Sequence, residues 1–217
     1  MRRSDNAAGH EQTEGTKAFV FERGALVVSI RQIRLPFDDE HLEEGVRIFA
    51  INLHRSTDRR RAMLEWLPSC DLPWEVFEAV DASLLLQDAV PWTNDRWGAS
   101  LWPGAVGCYL SHLHILRRII DYGVPWAVVL EDDVFPVQPP PRFTDLPLPP
   151  EFDGVYLHEM RDPYLCSTVV EQGAVFHRVR PAMLTTGAYA VSRVFAEQFC
   201  EAFEQVDMPV DHAYRNL

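Results

Sequence analysis

From Val46 onward the chain alternates short apolar runs with stretches of helical periodicity. Val46–Leu53 predicts a strand, and the helix that follows can be capped by Ser56 or Thr57, carries Asp58 in its first turn and is stopped by Pro68. Trp74–Val80 predicts a second strand ending at Asp81, and strand, helix, strand over this distance implies a parallel βαβ unit. In Gly104–Tyr122 the residues Tyr109, Leu113, Leu116 and Ile120 recur at helical spacing, flanked by Cys108, His112, Ile115 and Ile119. Gly123-Val124-Pro125 closes that helix and leads into the unbroken apolar run Trp126–Leu130, the pattern of a strand buried on both faces. Gly154–His158 and Gly187–Val191 predict further strands, and Ser192 caps a helix whose apolar face is Phe195, Phe199, Ala202 and Val206.

Other segments lack such patterns. Residues 1–16 are polar and aperiodic, which predicts disorder, and Ala25–Ile30 is a candidate strand followed by Pro36 and Asp38-Asp39-Glu40. Residues 1–45 are therefore read as an N-terminal extension to a domain at 46–217. Trp92, Trp97 and Trp102 lie among turn residues, where they either cover the core or form a platform for a flat ligand such as a sugar ring; covering the core is the expectation. Seven of the 16 prolines fall between Pro136 and Pro150, so that stretch is expected to wrap the surface without regular structure. Glu159–Arg180 is either a hairpin or an acceptor-side loop.

Composition narrows the class. A chain of 217 residues with 47% apolar and 24% charged residues can bury a proper core. Its net charge of −12 argues against a nucleic-acid partner, which needs a basic footprint. The four cysteines, Cys70, Cys108, Cys166 and Cys200, form no CxxC pair and read as buried free thiols. No run has transmembrane length and the N-terminus lacks a signal-peptide apolar region, so a cytoplasmic protein is expected.

The chemistry concentrates where the strand Trp126–Leu130 meets Glu131-Asp132-Asp133. Open α/β sheets bind ligands at the carboxyl ends of their strands. Three adjacent acids repel one another unless neutralised, and a hard divalent cation with oxygen ligands is the usual neutraliser. A solvated acidic turn is the competing account. Val134-Phe135 decides between them, because apolar residues on both sides hold the acids in a partly buried place.

Three further motifs stand in a fixed order around this one: the strand Ile48–Arg55 running into Asp58-Arg59-Arg60, Gly104–His112 (GAVGCYLSH), and Thr186–Ser192 before Pro209-Val210-Asp211. Together they resemble glycosyltransferase family 25, which includes bacterial lipooligosaccharide galactosyltransferases and collagen galactosyltransferases. The resemblance implies an α/β fold of the GT-A type: a single domain with a Rossmann-type, mostly parallel sheet flanked by helices. It implies a UDP-sugar donor, a saccharide acceptor and Mn²⁺ (or Mg²⁺). Asp133 would ligate the metal, with Glu131 acting directly or through water, and Asp132 would lie nearer the ribose or donor sugar. Asn52, Arg55, Arg59, Asp81, Ser111 and His112 would face the donor, and Asp211 would be the general base of an inverting reaction. The first-strand residues, Ser111, His112 and Asp211 have plainer alternatives: surface arginines at a helix start, a helix-packing serine, a core histidine, and an N-cap for a short terminal helix.

The expected function is thus transfer of a hexose, galactose first, in lipopolysaccharide or surface-glycan synthesis. A lipid-linked acceptor would bring the protein to the inner face of the cytoplasmic membrane. A binding or scaffold module that keeps the fold without catalysis is the alternative, and a metal-assisted hydrolase is disfavoured because no paired His/Asp ligand set is present. Family relatives continue beyond the Asp211 position, so the resemblance implies a domain shortened at its C-terminus and weak or undetectable transfer. Acceptor specificity is expected in residues 84–103 and 159–183.

Overall fold

Strand β1 (Arg47–Asn52) is buried along its whole length and lies between two parallel neighbours. The computed structural model describes residues 45–85, 92–94, 99–136, 142–146, 148, 152–157, 168–172, 177–180, 185–203 and 206–217. The candidate strand at 25–30, half of the expected acceptor segment 84–103 and most of 159–183 lie outside these residues.

After β1 come α1 (Thr57–Trp66) and β2 (Trp74–Glu78). The short α2 (Ala82–Leu85), β3 (Trp92–Asn94) and β4 (Ala99–Leu101) precede the long α3 (Pro103–Asp121) and β5 (Trp126–Glu131). Then follow β6 (Gly154–Tyr156), β7 (Thr168–Gln172), β8 (His177–Arg180), β9 (Ala188–Ser192), α4 (Arg193–Ala202) and α5 (Val210–Asn216). The main sheet has the order β2-β1-β5-β9-β6. Strands β2, β1 and β5 are parallel, whereas β9 runs antiparallel to both β5 and β6. The result is the mostly parallel, helix-flanked sheet that the strand pattern predicts. β3–β4 and β7–β8 are separate antiparallel pairs, so the segment 159–180 contains a hairpin.

Period-two alternation sorts the sheet's side chains into two cores. Ile48, Ala50, Val128 and Leu130 pack with Met63 and Leu67 on the α1 face. Phe49, Ile51, Ala127 and Val129 pack with α3, α4 and α5 on the other. Helix α3 is covered by the sheet on one side and by α4 and α5 on the other, so its buried positions run almost all the way round it, a wider set than one apolar stripe. It ends as the glycine predicts: Gly123 adopts φ of 65°, and the amides of Gly123 and Val124 return to the carbonyls of Ile120 and Ile119.

Four local expectations are corrected. Ser56 occupies the N-cap of α1, but its hydroxyl makes no capping bond; the Asn52 amide instead donates to the Ser56 carbonyl at 3.2 Å. Phe143–Asp145, inside the proline-dense stretch, forms a 3-10 turn, because the Asp71 carboxylate accepts the amides of Phe143 and Thr144. Trp102 is 67% exposed and does not cover the core, and Phe135 is 68% exposed, so of the pair after the acids only Val134 packs against the core.

Candidate functional site

The chain leaves β1 for β2 on one side and returns to β5 on the other, so β1 and β5 flank a topological switch point. Such points open a crevice beyond the strands' carboxyl ends. A cleft lies there, lined by Arg55, Asp81, Ser111, His112, Glu131 and Asp132 together with Cys108 and the turn after β2.

The acid triplet is divided by the same alternation that builds the two cores. Glu131 continues the Ala127–Val129 face and points towards α3, whereas Asp132 continues the Val128–Leu130 face and points towards α1. On the α3 side, Glu131 Oε1 accepts from Thr186 Oγ1 at 2.5 Å and lies 3.0 Å from His112 Nε2. His112 Nδ1 lies 2.7 Å from the Tyr189 hydroxyl, which lies 2.9 Å from that of Tyr214. Burial pushes the His112 imidazole down, but hydrogen bonds to Cys108 and Glu131 outweigh it and raise the group to about 9. As an imidazolium it donates from both nitrogens, to Glu131 and to Tyr189. Burial holds both tyrosines neutral, with pKa values well above the ordinary one.

On the α1 side, Asp132 is held between the Asn52 amide and the Arg59 guanidinium, each at 2.8 Å. The Asn52 orientation is fixed by that contact, because the opposite one would set an amide oxygen against a carboxylate. Asn52 Oδ1 then remains fully buried and without a hydrogen-bond partner among the described residues. Asp133 is the most open of the three, with its side chain 56% exposed and Arg59 at 3.7 Å. Burial and then the Glu131 charge raise the Asp133 carboxyl above the usual carboxylate range, against the lowering effect of Arg59. An exposed, under-neutralised carboxylate next to a second carboxylate is a donor set that fits a hard divalent cation.

Helix α3 reaches the sheet closely because of Gly107 and Ser111. A Cβ on Gly107 would stand 2.4 Å from the Val80 carbonyl oxygen. One turn later Ser111 accepts the Val80 amide at 2.9 Å and donates to the Gly107 carbonyl at 2.6 Å. Thus β2 stops at Glu78, short of the predicted end at Asp81, because Val80 bonds to a helix and not to a strand. Ser111 both packs the helix and lines the cleft. Asp81 precedes α2, accepts the Ser83 amide and pairs with Arg55 at the cleft wall. Both arginines are therefore ion-paired to acids of the site.

Asp211 does not line this cleft. Pro209 takes the cap position of α5, and Asp211 sits in the first turn, accepting the His212 amide at 2.9 Å. The helix reaches the site through Tyr214 instead. Cys108, Thr186, Tyr189 and Tyr214 were not among the expected site residues. The i, i+4 relation of Cys108 to His112 was readable from the helix. The tyrosines were not, since they meet His112 only through the packing of β9 and α5 on α3.

Residues 46–137 match the family model described as glycosyltransferase family 25 (LPS biosynthesis protein). The chain is 36% identical over 96 residues to the probable inactive glycosyltransferase 25 family member 3 of Bos taurus, covering 40% of this chain and 16% of that protein. Procollagen galactosyltransferase 1 of Danio rerio is 35% identical over 96 residues, with the same coverage. Procollagen galactosyltransferase 2 of Homo sapiens is 34% identical over 96 residues, 40% of this chain and 15% of that protein. The chain thus spans about 16% of the length of the curated relatives it matches.

Proposed function

We propose that this chain, whose residues 46–137 match the glycosyltransferase family 25 model, is a member of that family and transfers a hexose, galactose, from a UDP-sugar to a saccharide acceptor with inversion. The observation that carries this reading is the cleft at the switch point, lined by Glu131 and Asp132 at the end of β5, with the next residue, Asp133, exposed to solvent. Asp133 and Glu131 would hold Mn²⁺ (or Mg²⁺). The bound ion would supply positive charge against the diphosphate leaving group.

The chain's own residues have separate tasks in this reading. Arg59 and Asn52 hold Asp132 still. Arg55 and Asp81 form the opposite wall, where a ribose or phosphate can exchange with their mutual ion pair. His112 holds Glu131 in place through the 3.0 Å contact of Nε2 with Oε1. Asp211 as general base is part of the proposal, as are the lipopolysaccharide or surface-glycan setting and a lipid-linked acceptor at the membrane face. Among the described residues no helix is long and apolar enough to cross a membrane.

The second reading is a catalytically silent nucleotide-sugar-binding or scaffold module. It is favoured by the name of the Bos taurus relative, called probable inactive, and by the ion pairing of Asp132. Calorimetric titration with UDP, with and without Mn²⁺, separates the two. Metal-dependent UDP binding that Asp133→Asn abolishes, at unchanged melting temperature, is the expected outcome. No binding at millimolar nucleotide favours the scaffold, and an Asp133→Asn protein that binds like the parent removes the metal assignment.

A further inference from the structure

Cys108 and His112 lie one helical turn apart on α3 and face Glu131 across the floor of the cleft. We propose that these three side chains form a site for a borderline-soft divalent metal, Zn²⁺, separate in chemistry from a hard cation held by Asp133. Their ligand atoms all lie within 4.8 Å of one another. His112 Nε2 is 3.0 Å and Cys108 Sγ is 3.9 Å from Glu131 Oε1. Around a tetrahedral Zn²⁺ with the usual bond lengths the corresponding separations are about 3.4 Å and about 3.6 Å. Both separations from Glu131 thus differ from the tetrahedral values by a few tenths of an ångström, and the sulfur and Nε2 lie within 4.8 Å of each other, so side-chain rotations bring the set around the ion.

A second observation points the same way. A metal-bound histidine needs its other ring nitrogen donating to an oxygen, which fixes the tautomer. His112 has this arrangement already: Nδ1 faces the Tyr189 hydroxyl at 2.7 Å, and Tyr189 is braced by Tyr214. Thr186 Oγ1, 4.0 Å from Cys108 Sγ, adds a neutral oxygen beside the set. Since all three ligands line the cleft, a fourth coordination position opens towards it.

The ligand chemistry selects the metal. Thiolate with imidazole suits Zn²⁺ and discriminates against Mg²⁺ and Mn²⁺, which prefer oxygen. On binding, the Cys108 thiol proton and the Nε2 proton pass to solvent, and the sulfur and nitrogen lone pairs replace them on the ion. Glu131 is common to both sites, so Zn²⁺ here competes with any use of Glu131 by a hard cation. The inference rests on ligand geometry and not on glycosyl transfer, and its readouts need no activity.

Co²⁺ titration of the whole chain, with a phosphine reductant, tests it by the near-ultraviolet charge-transfer absorption of a thiolate–Co²⁺ bond. The expected result is one equivalent bound, displaced by Zn²⁺ but not by Mg²⁺. Cys108→Ser should lose the band and weaken Zn²⁺ binding at least tenfold, whereas Asp133→Asn should keep both. Zinc-edge X-ray absorption on the unaltered protein needs no variant, and should show a single sulfur at about 2.3 Å. Absence of the thiolate band, its persistence in Cys108→Ser, its loss in Asp133→Asn, or an oxygen-and-nitrogen-only zinc shell would each overturn the proposal.

Discussion

Gly107→Ala tests how the cleft is assembled, because two effects of opposite sign meet at that residue. Alanine in a helix interior gains about 1 kcal/mol over glycine from propensity. Against this, the added Cβ would lie 2.4 Å from the Val80 carbonyl oxygen and 3.4 Å from the Ala82 amide nitrogen. Both are backbone atoms of the turn that leads into α2, and no flexible side-chain tip can yield. Helix α3 must lift from the turn by roughly an ångström to restore an ordinary contact, the overpacking situation that costs about 1–3 kcal/mol. The same lift stretches the Ser111 bond to the Val80 amide, now 2.9 Å, and an unpaired buried amide costs about 1–3 kcal/mol. The costs exceed the gain, so the variant should be destabilised by roughly 1–5 kcal/mol.

Gly104→Ala is the internal control. Its Cβ would meet only the Trp102 ring, at 3.2 Å, and Trp102 is 67% exposed and free to move aside. That variant should be neutral or slightly stabilised. Urea unfolding followed by circular dichroism compares the two, and UDP binding should weaken in the Gly107→Ala variant because Val80 and Asp81 line the cleft. A Gly107→Ala protein as stable as the parent would show that the approach of α3 to the turn is not what holds the cleft in place.

His112→Ala should lower stability by about 2–4 kcal/mol, since it leaves a cavity and unpairs the Tyr189 hydroxyl and Glu131; melting temperature and UDP binding measured on one protein should both fall. Stability should also depend on pH. His112 is raised to about 9, so its contribution is complete below about 6.5 and is lost as pH climbs through about 9, on the order of 3 kcal/mol at most. Burial lowers His114 to about 4, with no partner for either ring nitrogen among the described residues, so stability should fall as pH drops below about 6.5. Urea midpoints from pH 5 to about 9.5 give both limbs, and a flat alkaline limb in the parent would contradict the His112 assignment. Asp211→Asn should leave UDP binding unchanged and remove transfer; full turnover by that variant would place the base elsewhere.

Local pattern was enough to locate β1, α1, α3, β5 and α4. Each carries its own periodicity and stop signals, from Pro68 to the left-handed Gly123 and the Ser192 hydroxyl that caps α4 by accepting the Phe195 amide at 3.1 Å. The acid triplet was equally visible, and its division was implicit in the strand: residues 127, 129 and 131 share one face of β5, and 128, 130 and 132 the other. What each acid meets was not implicit. Asn52 and Arg59 reach Asp132 across 80 and 73 residues, and Tyr189 reaches His112 across 77. Such pairings depend on strand order and on which helix covers which face, quantities set by the burial of the whole chain and by no window of it. The antiparallel insertion of β9 is of this kind: its five residues read as a strand in isolation, but only packing beside β5 brings Tyr189 under His112. Gly107 shows the boundary most clearly. In sequence it is a helix-weakening residue between Val106 and Cys108, and only the Val80 carbonyl 2.4 Å from its missing Cβ explains why no side chain fits there.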